Sequence, residues 1–187
     1  MPAAARANVR LGVRPLRIED VPAVVRYWTG ASRSDLDRMG VDVAKLATAD
    51  ELTRSLSAVC LAPVREASAA YLVWEVDGSP IGHAGLKNIR YGDSGDMHLH
   101  IWDSGARGRG YGARLFALSA LEFYERFALA RIVCEPKADN PMPNGMLQKS
   151  GYALVGSRVG ASSELSAVCR LNVYSIDRAT AARIAAS

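Results

Sequence analysis

The chain has 187 residues, 49% of them hydrophobic and 22% charged, enough apolar material for one domain with a sizeable core. Its net charge of +4 comes from arginines scattered without a basic run, so nucleic acid is not an implied partner, and an anionic cofactor accounts for the excess equally well. Met1–Asn8 lacks the apolar core of a signal peptide, no stretch reaches membrane-spanning length, and Cys60, Cys134 and Cys169 have neither an even count nor metal-ligand spacing; the expectation is a cytoplasmic protein with reduced thiols, no membrane contact and no metal.

After a flexible tail over 1–10, Leu11–Arg17 predicts a strand. Asp20 reads as the N-cap of a helix with the stripe Val21, Val24, Val25 and Trp28. Gly30–Val43 is polar and reads as irregular. Thr48-Ala49-Asp50-Glu51 has the capping-box pattern and opens a second amphipathic helix through Leu52, Leu56 and Val59. Strands over Ala70–Val76 and Ile81–Ile89 flank Asp77-Gly78, a hairpin signal. A turn over Tyr91–Gly95 leads into a strand at Met97–Trp102, and a long helix follows over about 110–127. Ala130–Glu135 reads as a short buried strand, Asn140–Ser150 as a helix ended by Gly151, and Tyr152–Val155 and Ala167–Ile176 as the last strands. Residues 178–187 form a C-terminal tail, a short helix or a frayed end. This order predicts a mixed α/β sheet over 11–177, a single domain, and not a purely alternating βαβ fold.

The segment that carries chemistry is Arg107-Gly108-Arg109-Gly110-Tyr111-Gly112, set between the 97–102 strand and the long helix. Glycines at such a corner let the backbone turn tightly and approach a ligand. The free N–H groups and positive dipole end of the helix favour an anion, and two arginines add donors suited to phosphate oxygens. It is not a Walker loop, which needs Gly-Lys-Ser/Thr, nor a dinucleotide fingerprint, which opens a parallel βαβ unit.

Arg107, Gly110 and Gly112 fill the pattern Arg/Gln, two residues, Gly, one residue, Gly/Ala, and downstream Asn140, then Met146-Leu147-Gln148-Lys149, then Gly151-Tyr152 repeat a second spacing. Together these resemble the GNAT superfamily of acyl-CoA-dependent N-acyltransferases, and within it the ribosomal-protein N-acetyltransferase-like branch. The resemblance implies a central, mostly antiparallel sheet that splays at the cofactor strand, flanked by helices, with acetyl-CoA (coenzyme A) as cofactor. It implies that the backbone of Ile101, Trp102 and Asp103 pairs with the pantetheine arm, that Arg107, Gly108, Arg109, Gly110, Tyr111 and Gly112 hold the pyrophosphate, and that Asn140 and Asn144 contact the pantetheine or the far side of the cofactor. The implied chemistry is direct attack of a neutral amine on the thioester, with a base, often through water, removing the amine's proton.

Three positions depart from the family pattern. Pro143 and Leu147 stand where relatives carry a Ser or Tyr proposed as the thiolate's acid, and Met97 stands near where many carry a Glu. Asp96, His98 and His100 are therefore the candidate bases, sharing one strand face if the strand is regular from 96. His83 reads as structural and Cys134 as a packed thiol. Tyr27, Trp28 and Arg38 fall in the region that covers the acceptor in this superfamily. The expected function is acetyl transfer to a primary amine of a small molecule or a protein N-terminus. The alternatives are a catalytically silent acyl-CoA-binding or sensing module and transfer of a longer acyl group. A homodimer stays open.

Overall fold

The computed structural model describes residues 9–187; most of the expected N-terminal tail, residues 1–8, lies outside them. Seven strands, β1 (Leu11–Pro15), β2 (Ala69–Val76), β3 (Ser79–Arg90), β4 (Ser94–Ile101), β5 (Arg131–Cys134), β6 (Ala153–Gly160) and β7 (Cys169–Ser175), form one sheet in the order β1-β2-β3-β4-β5-β7-β6. Every neighbouring pair is antiparallel except β4–β5. The helices are α1 (Val21–Thr29), α2 (Arg33–Met39), α3 (Ala49–Leu61), α4 (Tyr111–Arg126), α5 (Pro141–Ser150) and α6 (Arg178–Ala185). Among the described residues no helix is long and apolar enough to cross a membrane.

Strand alternation divides the core between the two faces of the sheet. On β2, Leu72 and Trp74 point to the face covered by α4 and α6, where Leu86, Met97, Leu115, Phe116, Phe123, Ala181 and Ile184 are buried. Val73 and Tyr71 point to the other face, packed with Val21, Val24 and Val25 of α1 and Leu52 and Leu56 of α3. The residues that matter below, His83, Gly85, Lys87, His98 and His100, lie on this second, thinner side.

Two expectations are corrected, and the choice left open at the C-terminus is decided. Gly30–Val43 is not irregular: α2 forms there because the Ser32 hydroxyl accepts from Asp35 N and Gly40, at φ +77°, closes the C-terminus. The segment after Asp177 is helical and belongs to the body, with Ala181 and Ile184 in the core and Asp177 capping Thr180 N. Asp20 does not cap α1 with its side chain. Its buried carboxylate accepts from Arg14 at 2.6 and 2.9 Å and from Arg17 N at 2.9 Å, and Arg14 also donates to Glu75 at 2.7 Å. The Arg14 guanidinium holds the Asp20 carboxyl below the usual carboxylate range.

This network ties β1, β2 and the start of α1 together. Arg14→Leu leaves Asp20 buried without its cation, and we expect a loss of about 2–3 kcal/mol, measured by urea unfolding. Arg14→Leu/Asp20→Asn should recover part of it, because the orphan charge is gone.

Candidate active site

β4 and β5 run together for only three pairs, Ser94↔Arg131, Gly95↔Ile132 and Asp96↔Val133. Beyond Asp96 the strands part: β5 ends at Cys134 while β4 continues to Ile101 against β3. Trp102 N donates to Ile81 O at 2.8 Å, so Trp102 faces β3, and by strand alternation Ile101 and Leu99 present N–H and C=O groups to the gap. Asp103 N also donates to Ile81 O, at 3.2 Å. The amides of Trp102 and Asp103, expected to pair with a pantetheine arm, are thus engaged with Ile81, and the free edge of β4 is Leu99–Ile101. Ile101 O accepts from the Arg107 guanidinium at 2.9 Å.

The gap opens into a cavity of about 710 Å³. Asp96, His98, His100, Ile101, Arg107, Gly108, Gly110, Tyr111, Gly112, Asn140, Tyr27, Trp28 and Arg38 all line it. Gly108 and Gly110 have φ of +73° and +87°, a region that favours glycine, and no atom lies within 4 Å of where a Cβ would stand at either. Gly110 is the N-cap of α4 and no side chain caps the helix there, so the first amides of α4 are free for an anion. This open, uncapped terminus fits a pyrophosphate.

Other predicted cofactor residues act from behind the wall. Arg109 donates to Gly105 O at 2.7 Å and Asp103 accepts from Gly105 N at 2.8 Å, so both brace the loop and neither lines the cavity. Asn144 is corrected as well. It is buried, donates to Lys137 O and Asn140 O, and accepts from Asn172 and Tyr174, which leaves it a structural crosslink between α5 and β7. Asn140 lines the cavity while its side chain accepts from Met142 N at the start of α5. Gly110→Glu places a side chain and a negative charge in the cradle; the folded variant should show no measurable coenzyme A binding by calorimetry.

The candidate bases separate into two kinds. Asp96 accepts from Asn88 Nδ2 at 2.6 Å. Asn88, at φ +51°, lies in a bulge where β3 carries one more residue than β4 between Lys87 and Arg90. Asp96 thus pins a bulge instead of facing the reactants freely. His98 and His100 share a face, and His83, expected to be structural, stands opposite His100 on β3. One ring nitrogen from each of the three lies within 4.8 Å of one from each of the others. The Tyr27 hydroxyl oxygen is 3.2 Å from His100 Nδ1 and the Trp28 ring centroid is 4.7 Å from that of His100, so α1 roofs the cluster. Gly85 makes room for it: a Cβ there would stand 2.3 Å from the His98 ring.

Sequence reasoning missed His83 and also Lys87, which lines the cavity and whose ammonium is pushed below its ordinary range by burial. Arg38, on the wall, is paired with Asp35 at 2.5 Å. Burial pushes the Cys134 thiol up to about 12, which makes it a packed thiol and not a nucleophile.

Burial, then the neighbouring His100 and Lys87, hold His83 and His98 well below the ordinary histidine range; burial and then Lys87 bring His100 down to about 3. All three rings are neutral in the folded chain and gain protons on unfolding below about 6.5. The unfolded state then binds more protons, so the histidines' contribution to stability is complete above that pH and is lost as pH falls, by about 1.4 kcal/mol per ring per pH unit. Melting temperature should drop steadily from pH 7 to pH 5, and His98→Gln/His100→Gln should flatten that slope. The other titratable groups facing the rings are Lys87, Tyr27 and Tyr71; burial lowers the Lys87 ammonium and raises both tyrosines.

The family model for the acetyltransferase (GNAT) domain matches residues 10–153. The chain belongs to that family. No curated protein sequence matches it. Solved structures share the GNAT fold at low identity. Mycobacterium smegmatis RimJ in complex with a coenzyme A disulfide is 18% identical, with a TM-score of 0.74 over 94% of this chain and 88% of that one. Vibrio cholerae spermidine N-acetyltransferase in complex with coenzyme A and spermine is 17% identical, with a TM-score of 0.69 over 92% and 98%. The ribosomal-protein-S5-alanine acetyltransferase of Vibrio fischeri is 17% identical, with a TM-score of 0.68 over 88% and 91%. As a GNAT acetyltransferase the chain uses acetyl-CoA, and the open glycine cradle and free β4 edge are the features that fit it.

Proposed function

We propose that this GNAT acetyltransferase moves an acetyl group from acetyl-CoA to a single primary amine, on a small molecule or a protein N-terminus, with His98 and His100 taking the amine's proton. The observation that carries the reading is the joining, in one cavity, of the α4 cradle, the free edge of β4 and the β4 histidines. When bound, acetyl-CoA supplies the activated thioester carbonyl. Arg107 and the Gly108–Gly112 backbone bind its phosphates, and N–H groups on the Leu99–Ile101 edge stabilise negative charge developing on an oxygen. His98 and His100, neutral and on the cavity wall, accept a proton. Pro143 has no proton to give and Leu147 is buried, so the proton taken from the amine is the one on hand for the departing sulfur.

The charge of the wall bears on the acceptor. Its carboxylates are engaged, Asp96 with Asn88 and Glu135 with Arg158, and of its cations Arg38 and Lys137 are paired with Asp35 and Asp139, which leaves Lys87, Arg107 and Lys149 to set its charge. Such a wall favours a monoamine or an N-terminus over a polycation.

A thiol-release assay over arylalkylamines, aliphatic monoamines, N-terminal peptides and spermidine tests this. Turnover is expected for monoamines or peptides and poor for spermidine. His98→Ala and His100→Ala should lower kcat about 100-fold, and Asp96→Ala much less. Tight acetyl-CoA binding with no turnover on any amine would sink the reading and leave a silent binding module.

A further inference from the structure

The chain has three histidines, and all three meet in this cluster. Their hydrogen bonds set where the ring protons sit. Trp102 Nε1–H donates to His83 Nδ1 at 2.6 Å. A neutral imidazole has one donor and one acceptor nitrogen, so with Nδ1 accepting, the His83 proton sits on Nε2. That N–H is fully buried and meets no acceptor among the described residues. The Tyr27 hydroxyl lies 3.4 Å from Met39 Sδ and 3.2 Å from His100 Nδ1. When its one hydrogen goes to Met39, His100 donates from Nδ1 and keeps a lone pair on Nε2, and that is the tautomer the proposal below requires. The β3 ring offers a donor, and the β4 side offers acceptors.

Three nitrogens no more than 4.8 Å apart leave a point within about 2.8 Å of all of them (the edge divided by √3), which is a hydrogen-bond length to a water oxygen. Zinc would need each ring to donate its second N–H outward to an acceptor, whereas Nδ1 of His83 faces the Trp102 donor. Water matches the set: it accepts one hydrogen bond, donates two, and keeps a lone pair.

We propose that His83, His98 and His100 hold one ordered water between them, with His83 Nε2–H donating to it and the two β4 rings accepting from it, and that His83 is the positioning residue of the proton path. This rests on His98 and His100 as the proton acceptors of the acetyl transfer. The amine's N–H proton passes to the water's free lone pair as one of the water's own protons passes to His98 or His100. Water is thus regenerated, and the imidazolium keeps the proton until the departing sulfur takes it.

The test uses the full chain labelled with 15N, where three histidines give a readable spectrum. Multiple-bond 15N–1H correlation should show His83 protonated at Nε2 and His100 at Nδ1, with a long-lived water cross-peak at the His83 ring protons. His83→Gln, which keeps an N–H near the same place, should retain kcat within about threefold, while His83→Leu should lose about tenfold with KM for acetyl-CoA unchanged. Trp102→Phe should release His83 into mixed tautomers. A His83 found as the Nδ1–H tautomer, no long-lived water, equal kcat in the Gln and Leu variants, or stoichiometric Zn²⁺ shifting all three rings would each overturn the proposal. The spectra read the wild-type chain, so they decide it even where a His83 variant fails to fold. Absence of turnover on any amine would count against the acetyl-transfer reading alone, and turnover with His83 in the wrong tautomer against the water site alone.

Discussion

The parting of β4 from β5 is the constraint on which the site depends. A parallel pair normally continues until one strand ends, and backbone groups inside a sheet are satisfied by their neighbours. Here β5 ends at Cys134, one residue past the last pair Asp96↔Val133, while β4 runs on to Ile101. The opening leaves N–H and C=O groups of a central strand facing a cavity, and it is held open from both sides. β3 grips the other edge of β4 as far as Ile101, with Trp102 and Asp103 anchored on Ile81. α5, fixed by the Asn144 crosslink to β7, stands across the gap beside the start of α4. The cradle at Gly108–Gly110 then sits at the mouth of a slot the sheet itself provides.

On the α1 side of that slot the structure holds three imidazoles under a roof of Tyr27, Trp28 and Tyr71. Aromatic cover and a nearby Lys87 keep the rings unprotonated. The same burial that readies them to accept a proton makes the imidazolium costly. A proton arriving there is held briefly and has a strong tendency to leave, which suits a reaction whose last need is a proton for a sulfur anion. The expected acid sensitivity of the fold and the proposed role of the rings thus share one cause.

Much of the fold was legible in the chain. The Thr48 capping box, the Asp77-Gly78 turn and the stripe of α1 appear where their local signals stand, because each is decided within a few residues. The Arg107–Gly112 cradle was legible for the same reason. α2 was not, since its apolar content is one buried leucine, Leu36, and its formation rests on Ser32 and Gly40 at its ends. Asn144 was read as a ligand because its chemistry suits one, and only the tertiary fold brings Asn172 and Tyr174 to occupy it. His83 was hidden by counting: it lies seven residues before Arg90, and His100 lies six after Ser94, its partner across the turn. A period of two puts the rings on opposite faces, and the bulge at Asn88 reconciles them.

That bulge makes the length of β3 part of the chemistry. Loss of Asn88 or Ile89 would leave Lys87 opposite Asp96 and the histidines still facing each other along a plain ladder. Loss of one residue between Ala84 and Lys87 would take up the same bulge and keep His83 opposite His100, but it would bring Leu86 into the place of Gly85 against the His98 ring, or Asn88 into that of Lys87. Insertions and deletions, not only substitutions, therefore decide which residues of β3 stand beneath the three imidazoles.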